Sequence, residues 1–99
     1  MGIDQFQETI DKGVTLVDFN ASWCAPCKAQ EPIIKKLMNI YQNRAVIIAI
    51  NIDDNRTLAT KYMVQSIPTL ILFKNGKEIK RFVGLQSEIT IAKSLDAAL

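Results

Sequence analysis

Apolar residues along this chain keep two rhythms, short unbroken β-like runs and stretches with a three-to-four-residue period, and the two alternate from end to end. Phe6 and Ile10 lie four apart within residues 4–12, which predicts a short first helix with Asp4 as its N-cap and Gly13 as its stop. Val14-Thr15-Leu16-Val17-Asp18-Phe19 is β-rich and nearly all apolar, as a strand covered on both faces should be, and Asp18 is its odd member. Ile33, Ile34, Leu37, Ile40 and Tyr41 then mark one face of an amphipathic helix running to about Gln42, which Pro32 should kink. Residues 45–52 form a second apolar β run, and Asp53-Asp54-Asn55 turns the chain into a short helix over residues 56–62. A strand, a helix and a second strand make a right-handed crossover whose strands are parallel.

The second half changes topology. Residues 69–73 and 78–83 flank Lys74-Asn75-Gly76-Lys77, and Asn-Gly between two β runs predicts an antiparallel hairpin, ended by Gly84. Ser87 is placed to cap a last helix carrying Ile91, Ala92, Leu95 and Leu99 on one face, with Glu88 in its first turn.

Size and charge narrow the function classes. A chain of 99 residues with 48% hydrophobic content fits one domain, residues 1–99, around a single core. Its net charge of +2 comes from interspersed acids and bases, so neither nucleic acid nor a membrane surface is expected as a partner. Lys35-Lys36 and Lys80-Arg81 read as solvated faces. Residues 1–13 lack the basic start and apolar core of a secretory signal, and no apolar run is long enough to span a bilayer, which predicts a cytoplasmic protein.

Both cysteines stand in Trp23-Cys24-Ala25-Pro26-Cys27-Lys28, between a β run and a helical run. A bridge between residues so close in sequence removes little unfolded-chain entropy, so it is a poor staple, and its value must lie in being made and broken. At a helix start, unpaired backbone N–H groups and the positive end of the helix dipole favour the thiolate, the form that attacks disulfides. Metal is the competing use. Structural zinc takes about four Cys or His ligands, whereas this chain has two cysteines and no histidine, so only a dimer sharing four thiolates or an iron–sulfur cluster bridged between chains would serve. Two incidental buried cysteines are the third reading, weakened by Pro26 between them and Trp23 beside them.

Val17-Asp18-Phe19, Trp-Cys-x-Pro-Cys-Lys at residues 23–28, Asn51-Ile52-Asp53, Ser66-Ile67-Pro68-Thr69, Phe73-Lys74-Asn75-Gly76 and Val83-Gly84, in this order, resemble the thioredoxin family over almost the whole chain. The resemblance implies an α/β fold, a mixed four-stranded sheet between two layers of helices, with the strands in the order second, first, third, fourth. It implies dithiol/disulfide exchange on proteins, with Cys24 the exposed attacking cysteine and Cys27 the buried resolving one. Trp23, Ile67, Pro68 and Gly84, with Ala25 and Pro26 of the motif, would form the apolar surface for substrate polypeptide. Pro68 would follow a cis peptide bond, leaving the Ile67 backbone free to pair with an extended chain. Asp18 would be the buried acid that handles the proton of Cys27, whereas a lone core aspartate elsewhere would simply be satisfied by a hydrogen bond. The implied partners are disulfide-containing proteins and a flavin-bearing thioredoxin reductase; the chain itself would bind no cofactor and act as a monomer.

Four departures from the family pattern stand out. Ala25 replaces the usual glycine, which bears on redox poise; Asn20 replaces a common tryptophan, which should loosen packing beside the site; Ala49 replaces a frequent lysine near the buried acid, which should make Asp18 harder to ionise; and the stretch before Val14 is too short for the family's first strand, which should leave residues 45–52 at a sheet edge. An oxidase or isomerase on the same fold, or a binding subunit using the Trp23 and Pro68 surface with an incidental dithiol, are the alternative functions. Pro26 and the absence of histidine point towards a reductant, by family resemblance.

Overall fold

The computed structural model describes residues 1–99 as α1 (Ile3–Ile10), β1 (Val14–Asn20), α2 (Ala25–Ile40), β2 (Val46–Asn51), α3 (Arg56–Lys61), β3 (Thr69–Lys74), β4 (Lys77–Val83) and α4 (Glu88–Ala98). The strands form one sheet in the order β2-β1-β3-β4, with β1 and β2 parallel and the other neighbours antiparallel. Both the order and the mixed character match the expectation.

Period-two alternation sorts the sheet's side chains onto two faces. Leu16, Ile47, Leu70, Leu72 and Phe82 pack with Ile34, Leu37 and Tyr41 of the α2 segment and Ile91 and Leu95 of α4. Val17, Phe19, Ile50, Ile71 and Phe73 point the other way, against Phe6 and Ile10 of α1 and Leu58 of α3. The second face is aromatic at its centre, where Phe6 meets Phe73 edge to face at 6.0 Å and Tyr62 at 5.1 Å. By the same alternation Asp18 lies on the α2 side of the sheet, in register between Ala49 of β2 and Leu70 of β3.

Local chemistry fixes the connections. Asn75 and Gly76 both take positive φ, 50° and 85°, as a two-residue hairpin turn requires. The same tip is tied to the end of α1, since the Gly13 N–H donates to Asn75 Oδ1 and the Asn75 N–H donates to the Gly13 carbonyl, each at 2.9 Å. A bulge at Ile79 interrupts the β3–β4 ladder, because Leu72 pairs with Lys80 and Phe73 with Glu78. Ser87 caps α4 as expected, its Oγ accepting the Thr90 N–H at 3.2 Å. At the other end Asp4 is not the cap of α1. The helix starts earlier, with extended Gly2 in the cap position and its carbonyl taking the Phe6 N–H at 3.0 Å, which leaves Asp4 inside the first turn. There its charge faces the positive end of the helix dipole. α2 continues through Pro32 without a break in its helical assignment. β2 is an edge strand, with Val46 exposed. No helix is long and apolar enough to cross a membrane.

Candidate active site

The end of β1 and the start of α2 bring the motif to one edge of the sheet. Cys24 is the N-cap of α2, with extended backbone, and its Sγ accepts the Cys27 N–H at 3.2 Å. Pro26 falls in the first turn, where its missing N–H has no helical partner to lose. One turn of helix therefore sets the two Cα atoms 5.2 Å apart, within ordinary disulfide reach, and the two sulfurs are bonded.

The expected difference in exposure between the cysteines is absent in this disulfide form, since Cys24 and Cys27 are each 5% exposed. Bonding to each other and packing with Ala21, Ile52 and Ile67 covers both. Their surroundings distinguish them instead. Cys24 Sγ lies 3.7 Å from the carbonyl oxygen of Ile67, which precedes Pro68 through a cis bond. The Pro68 carbonyl takes the Gly84 N–H at 2.8 Å, and the Ser66 carbonyl takes the Thr69 hydroxyl, so this loop is held from both sides. Pro68 is buried, contrary to its expected place on the apolar surface, while Ile67 before it is half-buried and Ser66 exposed. Trp23 is 67% exposed, with its indole N–H donating to Asp53 Oδ2 at 2.8 Å. Exposed Ala25 and Pro26 and half-exposed Gly84 complete the rim, and exposed Val83 and Leu85, which flank Gly84, extend its apolar character.

Cys27 faces inward. It shares with Asp18, Asn20, Ala49 and Glu31 the lining of a cavity of about 510 Å³ to which Cys24 does not contribute. Asp18 is 2% exposed, and its Oδ1 has no hydrogen-bond partner. Burial pushes its pKa up to about 6; the Asn20 amide pulls the other way, and the charge of Glu31 adds to the rise. Ala49 sits beside it in register, as the departures from the family pattern led us to expect, and offers no cation. A carboxyl poised near neutrality on the cavity that Cys27 also lines suits proton transfer.

Sequence reasoning missed two side chains that hold this arrangement. Gln30 is fully buried, donating to the Gln86 carbonyl at 3.1 Å and accepting the Gln86 N–H at 2.8 Å, so it ties the segment after Gly84 to α2. Its signal was its place between Cys27 and Ile34 at helical spacing, on the apolar stripe. The sequence places Asp53 in a turn and in the Asn51-Ile52-Asp53 motif, and nothing local connects it to Trp23 thirty positions away.

Known proteins agree with this geometry. The thioredoxin family model matches residues 2–97. The chain is 44% identical over 94 residues to thioredoxin from Staphylococcus haemolyticus, covering 95% of this chain and 90% of the relative. Its identity to thioredoxin from Staphylococcus aureus is 43% over the same length, with the same coverage. Among solved structures, a variant of thioredoxin from Halobacterium salinarum superposes with a TM-score of 0.90 at 34% identity, over 99% of this chain and 86% of that one. With this fold, a bonded C-x-x-C pair at the start of α2 and matches along nearly its whole length, the chain belongs to the thioredoxin family and is a protein-disulfide oxidoreductase working by dithiol/disulfide exchange.

Proposed function

We propose that the chain reduces disulfides in other proteins, with unequal roles for its two sulfurs. The Cys24 thiolate attacks one sulfur of a substrate disulfide, forming a mixed disulfide and releasing the first substrate thiolate, which takes a proton from solvent. Cys27 gives its proton to Asp18 or to a water beside it, and its thiolate attacks Cys24 Sγ. The second substrate thiolate leaves, and the centre ends as the Cys24–Cys27 disulfide, two electrons having passed to the substrate. Trp23, Ala25, Pro26, Ile67, Pro68 and Gly84 form the docking surface and its support, the Ile67 backbone pairing with an extended substrate segment. A thioredoxin reductase returns the centre to the dithiol, and the setting is the cytoplasm, where reducing conditions keep such pairs catalytic.

The observation that supports these roles is the opposite facing of the two sulfurs, Cys24 beside the Ile67 carbonyl and Cys27 on the cavity that holds Asp18. Equilibration with glutathione buffers tests the direction of electron flow. The expected potential is near the thioredoxin value of about −270 mV, and one well above about −200 mV would assign the protein to oxidation or isomerisation instead.

A further inference from the structure

Behind the disulfide, the cavity of about 510 Å³ reaches the size of small-ligand sites, which run from about 300 to 1,000 Å³. Two independent features make it more than a void. Its walls include the aliphatic Ile34, Met38 and Ala49, and on its lining stands Asp18, almost completely buried, with Oδ1 unpartnered. The neighbouring side chains in register, Ala49 and Leu70, cannot donate a hydrogen bond, and the Asn20 amide, which donates to the Asp18 main-chain carbonyl at 3.3 Å and acts on the carboxyl from nearby, leaves Oδ1 without a partner. Buried acceptors are nearly always satisfied, so a carboxylate that lines a cavity with one oxygen unsatisfied marks where a donor can be accepted.

The chemistry of the missing group follows from the lining. It must donate a hydrogen bond, through N–H or O–H; positive charge pairs with the ionised form and selects an ammonium over a hydroxyl; and an aliphatic stem suits the apolar walls. We propose that this cavity binds a small primary alkylammonium ion, with its NH₃⁺ on the Asp18 carboxylate and its alkyl chain against Ile34, Met38 and Ala49. The charges around the site set the affinity. From α2, Glu31, ion-paired with Lys35 at 2.9 Å, faces the site and Lys28 adds a positive charge, whereas β2 contributes only Ala49 and Asn51. Lys28 opposes entry of a cation, so a dissociation constant on the order of millimolar is expected. This binding does not depend on Asp18 acting in proton transfer, since it needs only the carboxylate and the space beside it.

The test uses the disulfide form, in which neither cysteine titrates, with the Asp18 carboxyl followed by carbon-13 NMR. In n-butylammonium chloride its titration midpoint should fall by about one unit at saturation, relative to tetramethylammonium chloride at equal ionic strength, which supplies charge without N–H donors. Methyl resonances of Ile34 and Met38 should shift along the same binding curve. Ala49→Leu, which fills the space beside Asp18, should abolish both effects. Identical midpoints in the two salts, or unmoved Ile34 and Met38 methyls in the parent, would overturn the proposal. So would a butylammonium effect that survives undiminished in a folded Ala49→Leu protein.

Discussion

On the Cys24 side of the bridge, the Trp23 indole is held by Asp53 and the Pro68 carbonyl by Gly84; on the Cys27 side, Asp18 lines a cavity and its Oδ1 has no partner. The first side has its hydrogen bonds made before any substrate arrives. Ordering its loop on binding costs little, which favours recognition of many extended segments through one backbone edge. The second side stores an unfavourable charge, and protonation relieves it. In the mechanism we propose, docking falls to the flank whose hydrogen bonds are already made, and proton handling to the flank where one is missing.

Serine at each cysteine separates the two flanks most strongly. Cys24→Ser should cut disulfide reduction to the uncatalysed background, because no attacking thiolate remains on the docking side. Cys27→Ser should keep the first attack and stop there, accumulating substrate linked to Cys24. Mass spectrometry after mixing with an oxidised substrate reads both results. Equally fast capture of substrate by Cys27 in Cys24→Ser would erase the distinction between the flanks.

Asp18→Asn sharpens the inner half of the contrast through stability. Folding raises the Asp18 pKa from 3.8 to about 6, so the folded protein holds this proton more tightly than the unfolded chain. The resulting contribution is fully favourable below about pH 4 and is lost as pH rises through 6, a swing of about 3 kcal/mol. Asparagine has no such charge. Urea unfolding of the disulfide forms should therefore show Asp18→Asn more stable than the parent by about 3 kcal/mol at pH 8 and little different at pH 3.5. A constant difference across that range would mean that Asp18 is satisfied in solution. The variant should also resolve a Cys24 mixed disulfide more slowly between about pH 6 and 8, and an unchanged rate would leave Asp18 a core residue only.

The outer flank was far more legible in the sequence than the inner one. Cys24, Pro26 and the Asn75-Gly76 turn announce themselves locally, since a helix start or a hairpin is fixed by a few adjacent residues. The strands and the hairpin followed from run lengths and from Asn-Gly, and the strand order, with β2 at the edge, from the family resemblance. The cavity could not be read in this way. Its volume is a joint result of Asn20 on β1, Ala49 on β2 and the distance at which Ile34 and Met38 hold α2 above them. Equal burial of the cysteines and the inward turn of Pro68 likewise depend on contacts made by residues remote in sequence, Ile52 with Ile67 in one case and Gly84 in the other.

Trp23 tests whether the docking flank acts through binding alone. Asp53→Ala frees the indole without removing it, whereas Trp23→Ala removes the largest exposed apolar group of the rim. Trp23→Ala should raise KM for a protein disulfide about tenfold, the effect of a moderate anchor residue, with kcat little changed. Asp53→Ala should raise it less. A fall in kcat with unchanged KM would place Trp23 in the chemistry and blur the division of labour.

Ser87→Ala produces the smallest effect and asks how local the inner flank is. The serine caps α4, whose Ile91 and Leu95 belong to the same helical layer as Ile34 and Leu37, yet neither Ser87 nor any other residue of α4 lines the cavity. Losing the cap should cost about 1 kcal/mol of unfolding free energy. Packing carries strain through close contacts, so a loosened α4 is a candidate to disturb Asp18, but between them stand Ile34 and Leu37, packed in the core on a 16-residue helix. The carboxyl titration and the turnover rate should therefore match the parent while the urea midpoint falls. A shift in the Asp18 midpoint in this variant would show that its environment is set by the whole α2–α4 layer, and the contrast between flanks would then belong to the two faces of the sheet and not to the two sides of the disulfide.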